Sequence, residues 1–313
     1  MTSFLIRRFV SAVVLLLAVS ILVYLMLYPA AGNIAANVLG ENATPEQIAL
    51  KNQELGLDRP LLAQYGSWLL DALRGDLGNS YYTSQPVWEA LAIRLPVTVS
   101  LVVLVLLFSG ILAFAAGTYA AVRRGWVDRA MQLISTFGDA LPNFIVALFL
   151  VTLLAIQTGI FPATGFTSFT DSPSGWALSL TLPVIALTIG GFAGVVQQVR
   201  SATISVLQQD YVRTLRSRGL SERRIILTSV LRNASTNGMT ALAVQVVGIL
   251  GGAVVIEQVF ALPGLGSLAI ESTSRTDLPL VIGVVMAFVL IVVIVNLLVD
   301  LAVAWLNPKV RLV

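Results

Sequence analysis

Residues 200–238 read RSATISVLQQDYVRTLRSRGLSERRIILTSVLRNASTNG and hold seven of the chain's 19 basic residues. Apolar stretches at 179–199 and 239–260 flank them. Each is long enough to cross a hydrocarbon core, which takes about 20 residues. Four more stretches qualify, at 9–28, 97–121, 131–157 and 278–306. The third carries Asp139 and Pro142, and the fourth carries Pro183 and the Gly190-Gly191 pair. Neighbouring helices can satisfy the backbone groups that such residues free. The pattern predicts an all-α membrane protein with about six transmembrane helices.

The basic segment has an order of its own. Ile204, Leu207, Tyr211 and Leu215 form one stripe of a helix. Gly219 then suits a left-handed C′ position, with Leu220 at C″ able to pack on Leu215, as a Schellman ending requires. Ser221 can N-cap a second helix whose first turn holds Glu222 at the positive end of the helix dipole. The segment therefore reads as helix, glycine turn, helix at the membrane surface. Arginines that merely anchored topology would not need this order, so the hairpin looks like a docking element for a soluble partner.

Composition narrows the chemistry. Of 313 residues, 57% are hydrophobic and only 11% charged, against roughly a quarter charged in soluble domains. Lipid must cover part of that apolar surface. Cysteine and histidine are absent, which excludes the common zinc sites, thiol nucleophiles and imidazole bases. The only lysines are Lys51 and Lys309, and neither lies in a GxxxxGK[ST] context, so the chain has no P-loop. The net charge of +3 reflects arginines that hold loops on one side of the membrane, with no nucleic-acid partner implied.

With the N-terminus inside, the inner segments hold Arg7, Arg8, Arg123, Arg124, Arg129, the seven arginines of 200–238, Lys309 and Arg311. The outer ones hold Lys51, Arg59, Arg74, Arg94 and Arg275. The bias puts both termini in the cytoplasm. The first apolar run exceeds the 7–15 residues of a signal-peptide core, so a retained helix is expected. The linear organisation is then 1–28, an N-terminal end with the first helix; 29–95, an extracytoplasmic segment with short helices; 96–306, a five-helix core with its coupling loop at 200–238; and 307–313, a cytoplasmic tail. Within 29–95, Thr44-Pro45-Glu46-Gln47 predicts a capping box, with Gly56 ending that helix. A second helix from Pro60 to Gly75 carries Leu61, Leu62, Tyr65, Trp68, Leu69 and Leu73. It could lie in the lipid interface or belong to a small packed cap.

At this point a family is visible. FLIRRF, LGLDRPLLAQYGSWLLDALRGDLGNS, RLPVTVSL, DYVRTLRSRGLSERRI, VLRNA, GGAVVIEQVFALPGLGSL and NLLVDLAVAWLNPKVR follow in order over nearly the whole chain. In this the chain resembles the B-type permease subunit of dipeptide/oligopeptide ABC importers. The resemblance implies a type I ABC importer permease fold with a cytoplasmic coupling helix, in a bacterial or archaeal cytoplasmic (inner) membrane. It implies a second homologous permease subunit, two cytoplasmic ATPase subunits and an extracytoplasmic solute-binding protein as partners, with lipid around the spans. ATP and Mg would sit on the partner subunits, leaving this chain with no cofactor, metal or catalytic site. The coupling residues would be Asp210, Arg213, Leu215, Arg218, Gly219, Leu220 and Glu222, with Leu215 and Leu220 as apolar anchors in an ATPase groove. The chain departs from the general motif of such permeases. Arg213 stands where a glutamate is usual, Arg232 where a proline often follows a leucine, and Asn237-Gly238 near another missing proline.

Other polar positions are Asp139 and Glu257, candidates for the solute pathway or for structural use, and Asn296 with Asp300 one turn on. The outside loop 261–277 has Pro263, Gly264 and Gly266 for tight turns and could touch the binding protein or simply connect two spans. Di- or oligopeptides, nickel chelates, glutathione and haem all fit such a permease as solutes. A stand-alone transporter or channel is the rival reading, and would usually show internal repeats, which are not visible. An intramembrane aspartyl enzyme built on Asp139 and Asp300 has no other support.

The orientation is testable because the chain lacks cysteine. Cysteines placed singly at Asn42 and Ser168 should react with an impermeant thiol reagent in intact cells, and Ser221→Cys should not. Labelling of Ser221→Cys from outside would reverse the orientation.

Overall fold

The computed structural model describes residues 2–28, 34–40, 42–123 and 125–306, with the side chains of 2–5 and 139 outside that description. Arg124, Lys309, Arg311 and the 307–313 tail also lie outside the described residues. The described chain is helical, apart from turns and an isolated antiparallel bridge between Asn79 and Pro86. It forms two compact units, Met1–Thr98 with Pro263–Val293, and Val99–Leu262 with Ile294–Val313.

The first unit contains α1 (Thr2–Leu27), α2 (Ile34–Leu39), α3 (Pro45–Glu54), α4 (Leu61–Leu73) and the start of α5 (Val87–Arg123). Later in the chain, α12 (Leu265–Ser274) and the start of α13 (Leu278–Leu306) join it. The Thr44 box closes as its sequence predicts. The Gln47 amide donates to Thr44 Oγ1 at 3.3 Å, and the Thr44 amide donates to Gln47 Oε1 at 2.9 Å. Gly56 and Gly75 end α3 and α4 at φ +68 and +90, each donating back to the carbonyl of the residue at C2.

Of the two readings of α4, its inner face supports the packed cap. Leu61, Tyr65 and Trp68 pack on Tyr24 of α1, Ile34 of α2, and Leu278 and Ile282 of α13. The Tyr24 and Tyr65 rings meet edge to face, 5.5 Å apart, and Ser20 and Tyr65 share a 2.9 Å hydrogen bond. The expected single apolar side is really two ridges, because Leu62 and Leu73 stay exposed.

Asp277 pins a loop to this unit. Its Oδ2 accepts from the Ser80 hydroxyl at 2.5 Å and its Oδ1 from the Tyr81 amide at 3.2 Å. The Ser80 oxygen in turn accepts from the Tyr82 and Thr83 amides. One buried carboxylate thus organises the turn that leads into α5.

The second unit holds the rest of α5, then α6 (Gly125–Ala140) and α7 (Asn143–Leu150), which runs into a π-helical stretch, Val151–Gln157. After them come α8 (Pro173–Leu207), α9 (Asp210–Ser217), α10 (Glu222–Ile225), a π-helical stretch Ile226–Val230, and α11 (Leu231–Val259). Over the expected third span the chain is not one straight helix but a pair bent by 92° between Gly138 and Asn143, a broken span or a re-entrant loop. Pro142 lacks an N–H and disfavours helix at Leu141, so the break falls there. Among the described residues, five helices are long and apolar enough to cross a membrane, or six if the bent pair counts as one span. Pro183, by contrast, is accommodated inside α8, where it is buried.

The segment 200–238 is also more helical than a loop. Helix α8 runs on to Leu207, and the hairpin's second arm continues into α11, so one apolar helical run spans Glu222–Val259. The stripe expected over 204–215 is accordingly split at Gln208-Gln209 into the end of α8 and the start of α9.

Burial raises the Asp277 pKa, opposed by hydrogen bonds from Ser80 and from the Tyr81, Leu280 and Tyr82 amides. A carboxyl raised on folding favours the folded state when protonated, and that contribution fades as pH rises through the folded pKa. Thermal stability of the solubilised protein should therefore rise as pH falls from the raised folded value toward the ordinary carboxylate range. Asp277→Asn should flatten that dependence. Asp277→Ala should lose about 1–3 kcal/mol at any pH by orphaning the Ser80 and Tyr81 donors. An unchanged melting profile in Asp277→Ala would contradict the pin.

Candidate functional site: the basic helical hairpin

Helix α9 is short, and its local sequence explains both its end and its fold-back. Gly219 has φ +78, a region that costs other residues roughly 1–2 kcal/mol. Its amide donates to the Arg216 carbonyl at 2.9 Å, and the Leu220 amide reaches back to Leu215 at 3.3 Å. These are the two bonds of the Schellman ending that the sequence predicted. Ser221 takes the N-cap position of α10, though its side chain makes no capping hydrogen bond.

Beneath the turn lies a compact apolar floor of Ala202, Val206, Leu207, Val212, Ile225 and Val230, with Tyr211, Leu215 and Leu220 packed against it. Leu215 and Leu220 thus belong to the hairpin's own core. What faces outward is charged: Asp210 and Arg213 are almost fully or largely exposed, 3.7 Å apart, and Arg218, Glu222, Arg223 and Arg224 are exposed too.

Three interactions that the sequence did not announce brace this surface. Arg216 grips Glu222 across the turn with two bonds, 2.6 and 3.2 Å. Asn233 donates to the Tyr211 hydroxyl at 2.9 Å, tying α11 to α9. Arg232 donates to the Leu306 carbonyl at 2.8 Å, in the last turn of α13. The last two give VLRNA a structural meaning: Arg232 satisfies a helix-end carbonyl and Asn233 holds the hairpin upright. A fourth pair, Arg200 with Asp128, joins α8 to α6 through both carboxylate oxygens. Opposite charges spaced across a predicted glycine turn were the available signal for Arg216. Nothing local marks the long-range pairs.

The remaining candidates stand apart from the hairpin. Asp139 closes the last turn of α6, and its side chain lies outside the described residues. Glu257 is completely buried in α11, and its carbonyl accepts from Leu262 at 2.8 Å. Asn296 and Asp300 are half-buried on α13. The left-handed turn after α11 is made by Ala261 at φ +48, not by the glycines expected there. Gly264 begins α12 in an extended conformation. Gly264 and Gly266 are buried, and only Pro263 of the three is exposed. Leu265 donates its amide to Thr98 Oγ1 at 2.8 Å, which holds the start of α12.

A braced basic hairpin thus joins two membrane-length helices, α8 and α11. Residues 111–312 match the family described as binding-protein-dependent transport system inner membrane component, and residues 1–102 match the N-terminal family of the same components. The chain belongs to this family and is a permease component of an ABC importer. It is 37% identical over 312 residues to a putative peptide transport system permease protein of Brucella abortus, covering 99% of each chain. A probable peptide ABC transporter permease protein of Sinorhizobium fredii is 35% identical over 98% of this chain and 99% of its own. A glutathione transport system permease protein of Escherichia coli is 33% identical over 99% of each.

No described atom lies within 4 Å of a Cβ built on Gly219, so substitution there acts through backbone strain alone. Gly219→Val should speed hydrogen exchange at the Gly219 and Leu220 amides while the spans stay protected. Unchanged exchange would remove the left-handed turn from the argument.

Proposed function

We propose that this chain forms one half of the membrane pathway of an ATP-driven importer of peptides, glutathione-like peptides included, and receives the power stroke through the 208–224 hairpin. The pairing of a buried apolar floor with an outward charged rim carries this reading. The floor makes the hairpin rigid, so force on the rim moves α8 and α11 as a body. The relatives' names, for peptide and glutathione transport, support the solute class.

In this reading the rim faces the cytoplasm, as the arginine bias requires, and both termini are cytoplasmic. Asp210, Arg213, Arg218 and Glu222 orient a cytoplasmic ATPase subunit, which supplies ATP and Mg. Gly219 brings the backbone of the turn close to that subunit. Leu215 and Leu220 act from within, by keeping the turn in shape. A second homologous permease completes the pathway, a second ATPase serves it, and an extracytoplasmic binding protein delivers the solute. ATP binding and release by the partners then bias two access states of the membrane bundle, a population shift driven by differential contacts.

Single exposed charges contribute little, about 0–1 kcal/mol each, so Arg218→Ala should weaken assembly only modestly. Leu220→Ala should weaken it more, and should also raise hydrogen exchange across α9. Cysteine at position 218 should crosslink to the ATPase subunit. Crosslinking from the 122–130 turn but never from 218 would assign the coupling element elsewhere.

A further inference from the structure

A groove of about 540 Å³ is lined by α8 and α11. Its lining includes Gly191, Gly194 and Gln198 of α8 and Asn237, Thr240 and Gln245 of α11. Gly191, Gly194 and Gln198 fall on one ridge of α8, and Asn237, Ala241 and Gln245 on one ridge of α11. Both helices are membrane-length and apolar, yet these ridges gather three carboxamides, with Thr240 beside them. None of the described residues that line the groove is charged.

Lipid is a poor occupant for such a seam. A carboxamide against hydrocarbon loses its water and gains no partner. Gln198 and Asn237 are exposed at the end of the seam that adjoins the basic segment, so the cost of a lipid neighbour falls on Gln245. Its Nε2 donates weakly to Ser109 at 3.4 Å, while its Oε1 is buried with no hydrogen-bond partner among the described residues. The backbone is shaped to keep that amide in place, because a side chain at Gly191 would overlap Gln245. Apolar side chains lie between these groups, since Val195, Ala241 and the exposed Val244 line the same groove.

We infer that this seam is the chain's contribution to the solute pathway, and that it recognises the amide groups of an extended peptide main chain. The inference rests on the permease reading above and deepens it. Neutral donors and acceptors at helical spacing match peptide N–H and C=O groups whatever side chains the peptide carries. The absence of a fixed charge among the described lining residues lets basic and acidic peptides pass alike. Weak, repeated contacts also suit conduction, since a tightly held solute would not leave.

The test uses single cysteines in the assembled transporter, in everted membrane vesicles, with a sulfonated maleimide as probe. A thiol in apolar surroundings stays protonated, and each unit of raised pKa lowers its thiolate fraction about tenfold. Gln198→Cys, Asn237→Cys and Thr240→Cys should therefore react at least about tenfold faster than Val247→Cys or Leu298→Cys. Modified Asn237→Cys complexes should lose ATP-driven release of radiolabelled trialanine enclosed with the binding protein in the vesicle lumen, while still hydrolysing ATP. Labelling no faster than at Val247 would overturn the inference and make the seam lipid-facing. Slow labelling with a constitutive crosslink to the second permease would overturn it by making the seam a fixed interface. If the unmodified complex fails to release enclosed trialanine on addition of ATP, the peptide reading of the function falls, while the labelling rates still decide whether the seam is a water-filled path.

Discussion

The second unit depends on how closely α8 can approach its neighbours, and glycine sets that distance. A Cβ at Gly117 of α5 would stand 2.8 Å from the Val196 carbonyl oxygen of α8. A Cβ at Gly238 of α11 would stand 2.6 Å from Phe114 and 2.7 Å from Val199. Gly190 on α8 makes room for the Asn143 side chain, and Gly252 on α11 faces both Asn143 and Leu187 at 2.9 Å. At Gly117 the close neighbour is backbone, and at the other three a Cβ would force the facing side chains to shift. Within lipid, where no hydrophobic force drives helices together, such close packing is a main source of association. Asn143 begins α7 directly after the break at Pro142, so the bend in the third span and the glycine notches belong to one arrangement.

That packing also gives the hairpin something to push on. Helix α8 enters the hairpin at Leu207, and the second arm leaves it as a single helical run from Glu222 to Val259. Two tightly packed helices are thus joined by the turn at Gly219, braced by Arg216 with Glu222 and by Asn233 with Tyr211. The π-helical stretch at Ile226–Val230 lies where the hairpin becomes the span, a local deviation of the kind often found at functional positions. In the proposed coupling, a displacement of the rim would be carried into α8 and α11 together, the same helices that carry the seam.

Much of this was legible in the sequence because it is local. The Gly219 ending, the Thr44 capping box and the glycine-terminated helices after 54 and 73 follow from residue type and spacing over a few positions. The membrane class follows from composition. What sequence could not resolve depends on long-range contact. The apolar face of α4 was readable, but whether Tyr65 and Trp68 meet lipid or Tyr24 depends on α1 returning to them. Leu215 and Leu220 were correctly apolar and correctly placed, yet the direction they face is set by Val206, Ile225 and Val230. Pro142 breaks a helix while Pro183 does not, because Pro183 sits within a tightly packed stretch of α8. Arg232 looked like a departure from pattern until its carbonyl partner, 74 residues on, was visible.

Intact-complex mass spectrometry of the chain, extracted from its own membrane in mild detergent, tests the central claim most directly. A permease component that works through the hairpin should appear with a second permease and two ATPase subunits, and Gly219→Val should release the ATPase subunits while the permease pair persists. A chain that runs alone and catalyses uptake alone in proteoliposomes would contradict it.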